Sequence, residues 1–386
     1  MAQSTKDEMQ LSTGEQIQRL GAIRAEMRAR KLDALLVYSQ RRSHVAYVSG
    51  YRPNYHTNSA FVVLPVDDEP VLLIKFGFDL QRAKVLTWVS DIRTLDGEPS
   101  ETLFGKCLRT MQAMKLGRAR IGYVAGDDTV DELSVALLAS MQEGLPSAHL
   151  EPAGDLLLRL RLQKGPGEVL RLRRATELAE TAIEAVGRSL QPGVEDYALA
   201  AAASCAALQH GAERCDLVIS PSATELALPP MHRRFSNGNV VSCELTVVCE
   251  GYWVQICRTF SMGEPTPAQK HLFAACRDAY LAGTEVARPG CPVSVIAVAA
   301  MEVLRKAGFH GCLTYGLGHG IGLDLPEPYE VELHTHDSLV NNMALAVHVG
   351  AWAPQAGAAA FVGGPILVSE RGSIPLDRQQ TELILA

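Results

Sequence analysis

The amino-acid sequence predicts an α+β protein of two domains: a smaller α/β domain over residues 1–160 and a larger, internally duplicated domain over residues 161–386, with an antiparallel sheet and outer helices. Three observations carry this. At 386 residues the chain exceeds one small module, and a hydrophobic fraction of 47% with 20% charged residues describes a folded globular chain. Two helix-forming stretches are punctuated alike, since Pro192-Gly193 opens one that closes at Gly211 and Pro289-Gly290 opens one that closes at Gly308. The spacing from Pro to closing Gly is nineteen residues in both, with an alanine-rich face between them. Matched punctuation around equal helices is what a duplicated unit leaves in a sequence. Third, β-rich runs follow each helix, which puts strands inside and helices outside.

In chain order, Gln16 to Arg30 reads as a helix with Ile17, Leu20, Ile23 and Met27 on one face. Ala34 to Tyr38 is a short buried strand, and Phe61 to Pro65 and Val71 to Lys75 are two more, before a mixed stretch to about Leu150. The loop Tyr51-Arg52-Pro53-Asn54-Tyr55-His56 offers Arg52, Tyr55 and His56 as groups that can reach a ligand. Gln163-Lys164-Gly165-Pro166-Gly167 breaks the chain. Glu168 onward then forms a long amphipathic helix with Leu170, Leu178, Ala182 and Val186 inward. After the first punctuated helix, Val194 to His210, the runs Val240 to Cys249 and Gly251 to Phe260 form a hairpin turned at Glu250-Gly251. After the second, Cys291 to Ala307, the counterparts are Leu345 to Trp352 and Ile366 to Ser369.

Charge narrows the partners. With 36 basic against 43 acidic residues and a net charge of −7, the chain lacks the basic footprint that phosphate binding needs, so nucleic acid is excluded as the main partner. No apolar window spans a bilayer, and the first residues carry charges where a secretory signal needs an apolar core, so a cytoplasmic location without membrane contact is expected. Nine scattered cysteines without a CxxC pair read as reduced thiols, with Cys243, Cys249 and Cys257 as small core residues.

The chain has no GxSxG elbow, no phosphate-cradling GxxxxGK[ST] loop and no HExxH helix. What stands out is His319, enclosed by Gly316, Gly318, Gly320 and Gly322. Small neighbours let a ligand approach the backbone and leave the imidazole uncovered, which makes His319 a candidate site residue.

The run Gly318-His319-Gly320-Ile321-Gly322-Leu323, the hairpin Glu250-Gly251-Tyr252 with Arg258-Thr259-Phe260, and Pro192-Gly193-Val194-Glu195 resemble the pita-bread superfamily. That superfamily holds methionine aminopeptidase, prolidase, aminopeptidase P and creatinase. Ala34-Leu35-Leu36-Val37 and Ala46-Tyr47-Val48-Ser49-Gly50-Tyr51 are similar to the creatinase/prolidase N-terminal domain. The resemblance spans nearly the whole chain and implies a duplicated catalytic domain. The peptidases of this superfamily hold two divalent metals with two Asp, one His and two Glu. Carried over one at a time, the first Asp falls on Glu244 and the second on Gln255. The His falls on His319, the first Glu on His348, and the last Glu at or beside Gly363. The further His that often follows the glycine-rich run falls on Pro326, with Glu327 beside it retained.

Two dications need several anionic oxygens, and only Glu244 remains at those positions, so no two-metal site is expected. The resemblance then implies a metal-free hydrolase without cofactor, closest in character to creatinase and ectoine hydrolase. Such an enzyme cleaves a C–N bond of a small polar amidine, guanidine or amide. The catalytic His of those enzymes lies in the loop before the first hairpin, here Leu228-Pro229-Pro230-Met231-His232. His232 is expected as acid and base, and Glu244 as cation anchor or nucleophile. Gln255, His319 and His348 are expected as neutral substrate-binding walls. The Arg52–Tyr55–His56 loop is expected to close the pocket on a substrate carboxylate, from the neighbouring subunit of a homodimer. Two alternatives remain open: a mononuclear metalloenzyme of prolidase-like ancestry using Glu244, His319 and His348, and a catalytically inactive pita-bread module that binds a peptide or protein. A His232 that points to bulk solvent, away from Glu244, favours the inactive module.

Overall fold

Leucine- and valine-rich runs with no polar alternation form strands buried on both faces, and the N-terminal sheet is built from them. The computed structural model describes residues 11–39, 43–53, 59–95, 102–124 and 134–386. It divides into two units, one ending at Arg161 and one beginning at Leu162. In the first, β1 (Ala34–Ser39), β2 (Ala60–Pro65), β3 (Val71–Ile74), β4 (Asp91–Arg93), β5 (Arg120–Val124) and β6 (His149–Pro152) form one sheet in the order β4-β3-β2-β1-β5-β6. β1 pairs antiparallel with β2 and parallel with β5, the mixed pairing of an α/β domain.

The first helix runs Thr13–Ala29 behind a Ser12–Glu15 capping box. Its inner face differs from the expected one. Ile17 is 67% exposed, while Arg19, on the same stripe as Ile23 and Met27, is buried. Arg19 lies four residues before Ile23, one helical turn, so its stem joins the stripe that Ile17 misses. Its guanidinium lies 4.2 Å from the Tyr47 ring centroid and donates to the Tyr47 carbonyl at 3.1 Å.

The second unit opens with the helix Pro166–Ser189, where Pro166 sits in the first turn and Glu168 accepts from the Gly165 amide at 3.0 Å. Leu178, Ala182 and Val186 are buried as expected, but Leu170 is 67% exposed. The two punctuated helices are Asp196–Gln209 and Ser294–Lys306. Both end alike: Gly211 and Gly308 have φ of 102° and 83°, and the next amide reaches back to a carbonyl in the last turn (Ala212 to Ala207 at 3.1 Å, Phe309 to Leu304 at 2.8 Å). The duplication is therefore visible in cap geometry as well as in spacing.

The sheet of this unit runs β11 (Glu327–Glu330), β10 (Gly318–Gly320), β12 (Ala344–Ala353), β13 (Ala358–Leu367), β9 (Tyr252–Ser261), β8 (Val240–Cys249), β7 (Arg214–Ser220). All neighbours along this path are antiparallel. The short β14 (Ile374–Pro375) adds to β13, and β15 (Ile384–Leu385) adds parallel to β9. The β8–β9 hairpin turns at Glu250 and Gly251, whose φ values of 49° and 82° give the double left-handed turn that matches strand twist. The last long strand begins at Ala358, well before Ile366. The alanine run 358–360 carries little strand propensity and is drawn into the sheet by pairing with β12 along its whole length. Among the described residues, no helix is long and apolar enough to cross a membrane. Cys243, Cys249 and Cys257 are buried and unbridged.

Candidate functional site

Directly paired residues of an antiparallel sheet share a face, so the register builds the site. Glu244 on β8 lies opposite Cys257 on β9, and Cys257 lies opposite Gly363 on β13. Gly363 lies opposite His348 on β12, and His319 on β10 lies opposite Ala346, two residues before His348. Gln255, two residues from Cys257, falls on the same face. One face of one sheet thus carries Glu244, Gln255, His319 and His348.

They form two pairs instead of one cluster. Gln255 hydrogen-bonds Glu244, whose carboxyl is nevertheless pushed above the ordinary carboxylate range, chiefly by burial. The Gln255 amide has one donor group and one acceptor; the acceptor, Oε1, is buried without a partner. At the other end, the His319 and His348 rings lie 6.0 Å apart at 68°. His319 Nδ1 donates to the Gly320 carbonyl at 3.0 Å. His348 Nδ1 is buried without a partner. Burial pushes both imidazoles down, His348 to about 3 with a further contribution from His319, so both are neutral near pH 7. Between the pairs stand Cys257 and Gly363. A Cβ added at Gly363 would meet the His348 Cβ at 2.4 Å, so the space a longer side chain would need is already taken.

An aromatic wall flanks the acid. Tyr315 stacks on Phe361 with centroids 5.2 Å apart, and Trp352 packs edge-on to both. Val218, the β7 neighbour of Glu244, and Cys257 pack against the same group. Burial raises the Tyr315 hydroxyl, which donates to the Ala227 carbonyl at 2.8 Å, and the charge of Glu244 adds to the shift.

Several expected groupings do not form. His232 has a φ of 63° and a side chain 77% exposed, with its ring 4.5 Å from Tyr197 and Nδ1 3.7 Å from Glu195. Its loop is tied down by Asp196, which accepts from the Met231 amide at 2.8 Å and from Arg233 Nε at 3.1 Å. Arg233 also donates to the Ile219 carbonyl at 2.7 Å. These bonds hold the loop with His232 exposed, and among the described residues it makes no contact with Glu244. The single-metal set Glu244, His319 and His348 is not assembled either. Among the described residues, no three His, Cys, Asp or Glu side chains could hold a metal ion. The strand order explains this: β13 and β9 separate His348 from Glu244 and supply no carboxylate between them. Arg52 is buried in the N-terminal unit, and Tyr55 and His56 lie outside the described residues.

Two supports were not expected. Lys164, read as part of a turn, is buried with its ammonium 2.6 Å from Glu327 Oε2. Glu327 Oε1 accepts from the Leu323 amide at 2.9 Å and lies 2.6 Å from where a Gly322 Cβ would stand, so this pair shapes the glycine-rich run beside His319. Arg258, on the opposite face of β9, donates to the Gly363 carbonyl at 2.8 Å and to Asp377 at 2.6 Å. The retained Glu327 was the available signal for the first. Asp377 carried none, because nothing near it in sequence predicts an arginine partner.

A duplicated antiparallel sheet with outer helices, bearing a glycine-flanked His on an inner strand, defines a pita-bread domain behind a creatinase-type N-terminal domain. The chain belongs to metallopeptidase family M24, whose profile matches residues 171–370; that of the Creatinase/Prolidase N-terminal domain matches residues 19–163. Among its relatives, the Xaa-Pro dipeptidase of Pyrococcus furiosus is 24% identical over 257 residues, 65% of this chain and 73% of that one. The probable dipeptidase PepE of Mycobacterium tuberculosis is 27% identical over 300 residues, 72% of this chain and 79% of that one. Among solved structures, the prolidase of Pyrococcus horikoshii matches with a TM-score of 0.81 at 20% identity, covering 95% of this chain and all of that one. The Xaa-Pro dipeptidase of Bacillus anthracis matches at 0.82 and 18%, covering 96% of this chain and 100% of that one.

These relatives correct the functional expectation. M24 is a metallopeptidase family, and the relatives are named for dipeptides, so the reading as a metal-independent, creatinase-like hydrolase of amidine, guanidine or other non-peptide C–N bonds is overturned. What stands is the coarser class, a member of a hydrolase family. The residues present do not fit the metal pair of that family: of the five family positions only Glu244 is a carboxylate, and the position at Gly363 is closed by His348.

Proposed function

We propose that the pita-bread domain binds short peptides where its relatives act on them, and that it does not assemble the two-metal centre of a peptidase. One observation carries the reading: the family's metal positions have become two separate polar pairs, Glu244 with Gln255 and His319 with His348. A dication bridged by carboxylates needs anionic oxygens on the middle strands, where Gln255 and Gly363 now stand. The outward aim of His232 supports the same reading, since no acid–base group is brought to Glu244 from that loop. The names of the relatives supply the ligand class, Xaa-Pro dipeptides.

The test is calorimetric titration of Ala-Pro and related dipeptides, run beside a proline-release assay with Mn²⁺, Co²⁺ or Zn²⁺ added. Saturable binding with no metal-stimulated proline release is the expected result. Turnover with any of these dications, lost on removal of the metal, would overturn the proposal.

A further inference from the structure

The corner formed by Glu244 and Gln255 is rich in acceptors and short of donors. Glu244 takes a hydrogen bond from the Gln255 side chain, and Gln255 Oε1 adds a further acceptor that is buried and unpartnered. Glu244 makes no ion pair among the described residues. Arg258, the nearest cation along β9, points to the other face and is committed to Asp377 and the Gly363 carbonyl. A ligand carboxylate or carbonyl here would add one more acceptor and no donor. An ammonium brings three donors, no acceptor and a matching charge. Packed against Val218 and Cys257, the strand partners of Glu244, are the stacked Tyr315 and Phe361 rings with Trp352 edge-on, a wall suited to a cation with a hydrocarbon body.

We infer that the Glu244–Gln255 corner binds a protonated primary amine, with the ammonium donating to Glu244 and to Gln255 Oε1 and the attached carbon chain against Tyr315 and Phe361. This deepens the peptide reading and rests on it only for the carrier of the amine, the α-ammonium of a short peptide. An organic cation then stands on the acid that family members give to a metal.

The experiment compares Ala-Pro with N-acetyl-Ala-Pro, and butylammonium chloride with sodium butyrate, by calorimetric titration of the full chain and of its E244Q and Q255L variants. N-acetylation is expected to weaken binding at least 100-fold, E244Q to weaken Ala-Pro similarly, and Q255L at least tenfold, with each variant's melting temperature recorded. Equal affinity for the free and acetylated peptides would overturn the inference, as would undiminished affinity in a folded E244Q. If a variant fails to fold, the acetylation comparison on the unaltered chain decides. Binding of butylammonium but of neither peptide, abolished in E244Q, would uphold the amine site and sink the peptide reading. No binding of any probe would sink both.

Discussion

Two acids on the sheet of the pita-bread domain are treated in opposite ways. Glu327 is fully matched: one oxygen takes the Lys164 ammonium at 2.6 Å and the other the Leu323 amide at 2.9 Å. Among the described residues Glu244, half-buried, is hydrogen-bonded only by the Gln255 side chain, which itself keeps a buried acceptor unpaired. A group whose task is to hold the fold is satisfied within the chain, whereas a group left short of donors is arranged for something that arrives. The contrast separates scaffold from site where residue type alone, glutamate in both cases, does not.

The strongest way to break this contrast is to unmatch Glu327. Lys164→Met removes the cation but leaves the carboxylate buried, and a broken buried pair typically costs about 3–5 kcal/mol. Urea denaturation should show a loss of that size, with loosening of the Gly318–Leu323 run in hydrogen exchange. A loss below about 1 kcal/mol would mean that Glu327 relaxes into water and that the pair is not a scaffold element.

His348 gives the next largest effect, visible as pH dependence. Its folded pKa is depressed to about 3, against an ordinary value of 6.5, because burial disfavours the imidazolium. The unfolded chain therefore binds a proton at a pH where the folded chain does not. The stability this contributes is present above pH 6.5 and is lost as pH falls from there towards 3. The slope approaches about 1.4 kcal/mol per pH unit. His348→Gln should flatten the acid limb between pH 6 and 4. An unchanged slope would show that His348 becomes protonated while folded.

Much of this is legible in the amino-acid sequence. Pro192-Gly193 with Gly211 and Pro289-Gly290 with Gly308 are local signals, because a Gly after a helix reports the left-handed cap it must adopt. The strands bearing Glu244 and Gln255 were legible for the same reason, as dense β-branched runs around a Glu-Gly turn. What stayed hidden depends on partners distant in sequence. Lys164 and Glu327 are 163 residues apart. The aim of His232 is set by Asp196, 35 residues before Met231, and by Arg233, and no pattern within the loop records it. Arg19 replaces Ile17 on the inner face because Tyr47 offers its ring and carbonyl, a contact of separation 28. The convergence of Glu244 with His319 and His348 was inferred from matching residue types, and the two strands between them undo it.

Glu244→Gln sharpens the contrast from the other side. The carboxyl's folded pKa is raised, so the stabilising form is the protonated one, and its contribution is present at low pH and lost as pH rises through the folded pKa. Glutamine keeps the shape and never ionises. The variant should therefore be more stable than the parent at pH 8, by about 0.5–2 kcal/mol, and nearly equal to it at pH 4. A site residue that stabilises the chain when neutralised is the stability cost of a binding group. A variant less stable than its parent at pH 8 would make Glu244 scaffold, like Glu327.

The smallest effect belongs to His232, and it is informative because an acid–base role would make it the largest. The side chain is 77% exposed, and among the described residues its partners are Tyr197 and Glu195, at the start of the helix Asp196–Gln209. Asparagine tolerates the left-handed backbone at this position nearly as well as histidine does, so His232→Asn tests the imidazole without straining the loop. Substitutions of this kind usually stay within about 0.5 kcal/mol. Melting temperature and dipeptide affinity should both match those of the parent. A tenfold loss of affinity would place the imidazole on the ligand after all. In that event the Asp196–Arg233 anchor, which aims it outward here, would have to release the loop when ligand binds, and ligand-dependent hydrogen exchange at Met231 would report that release.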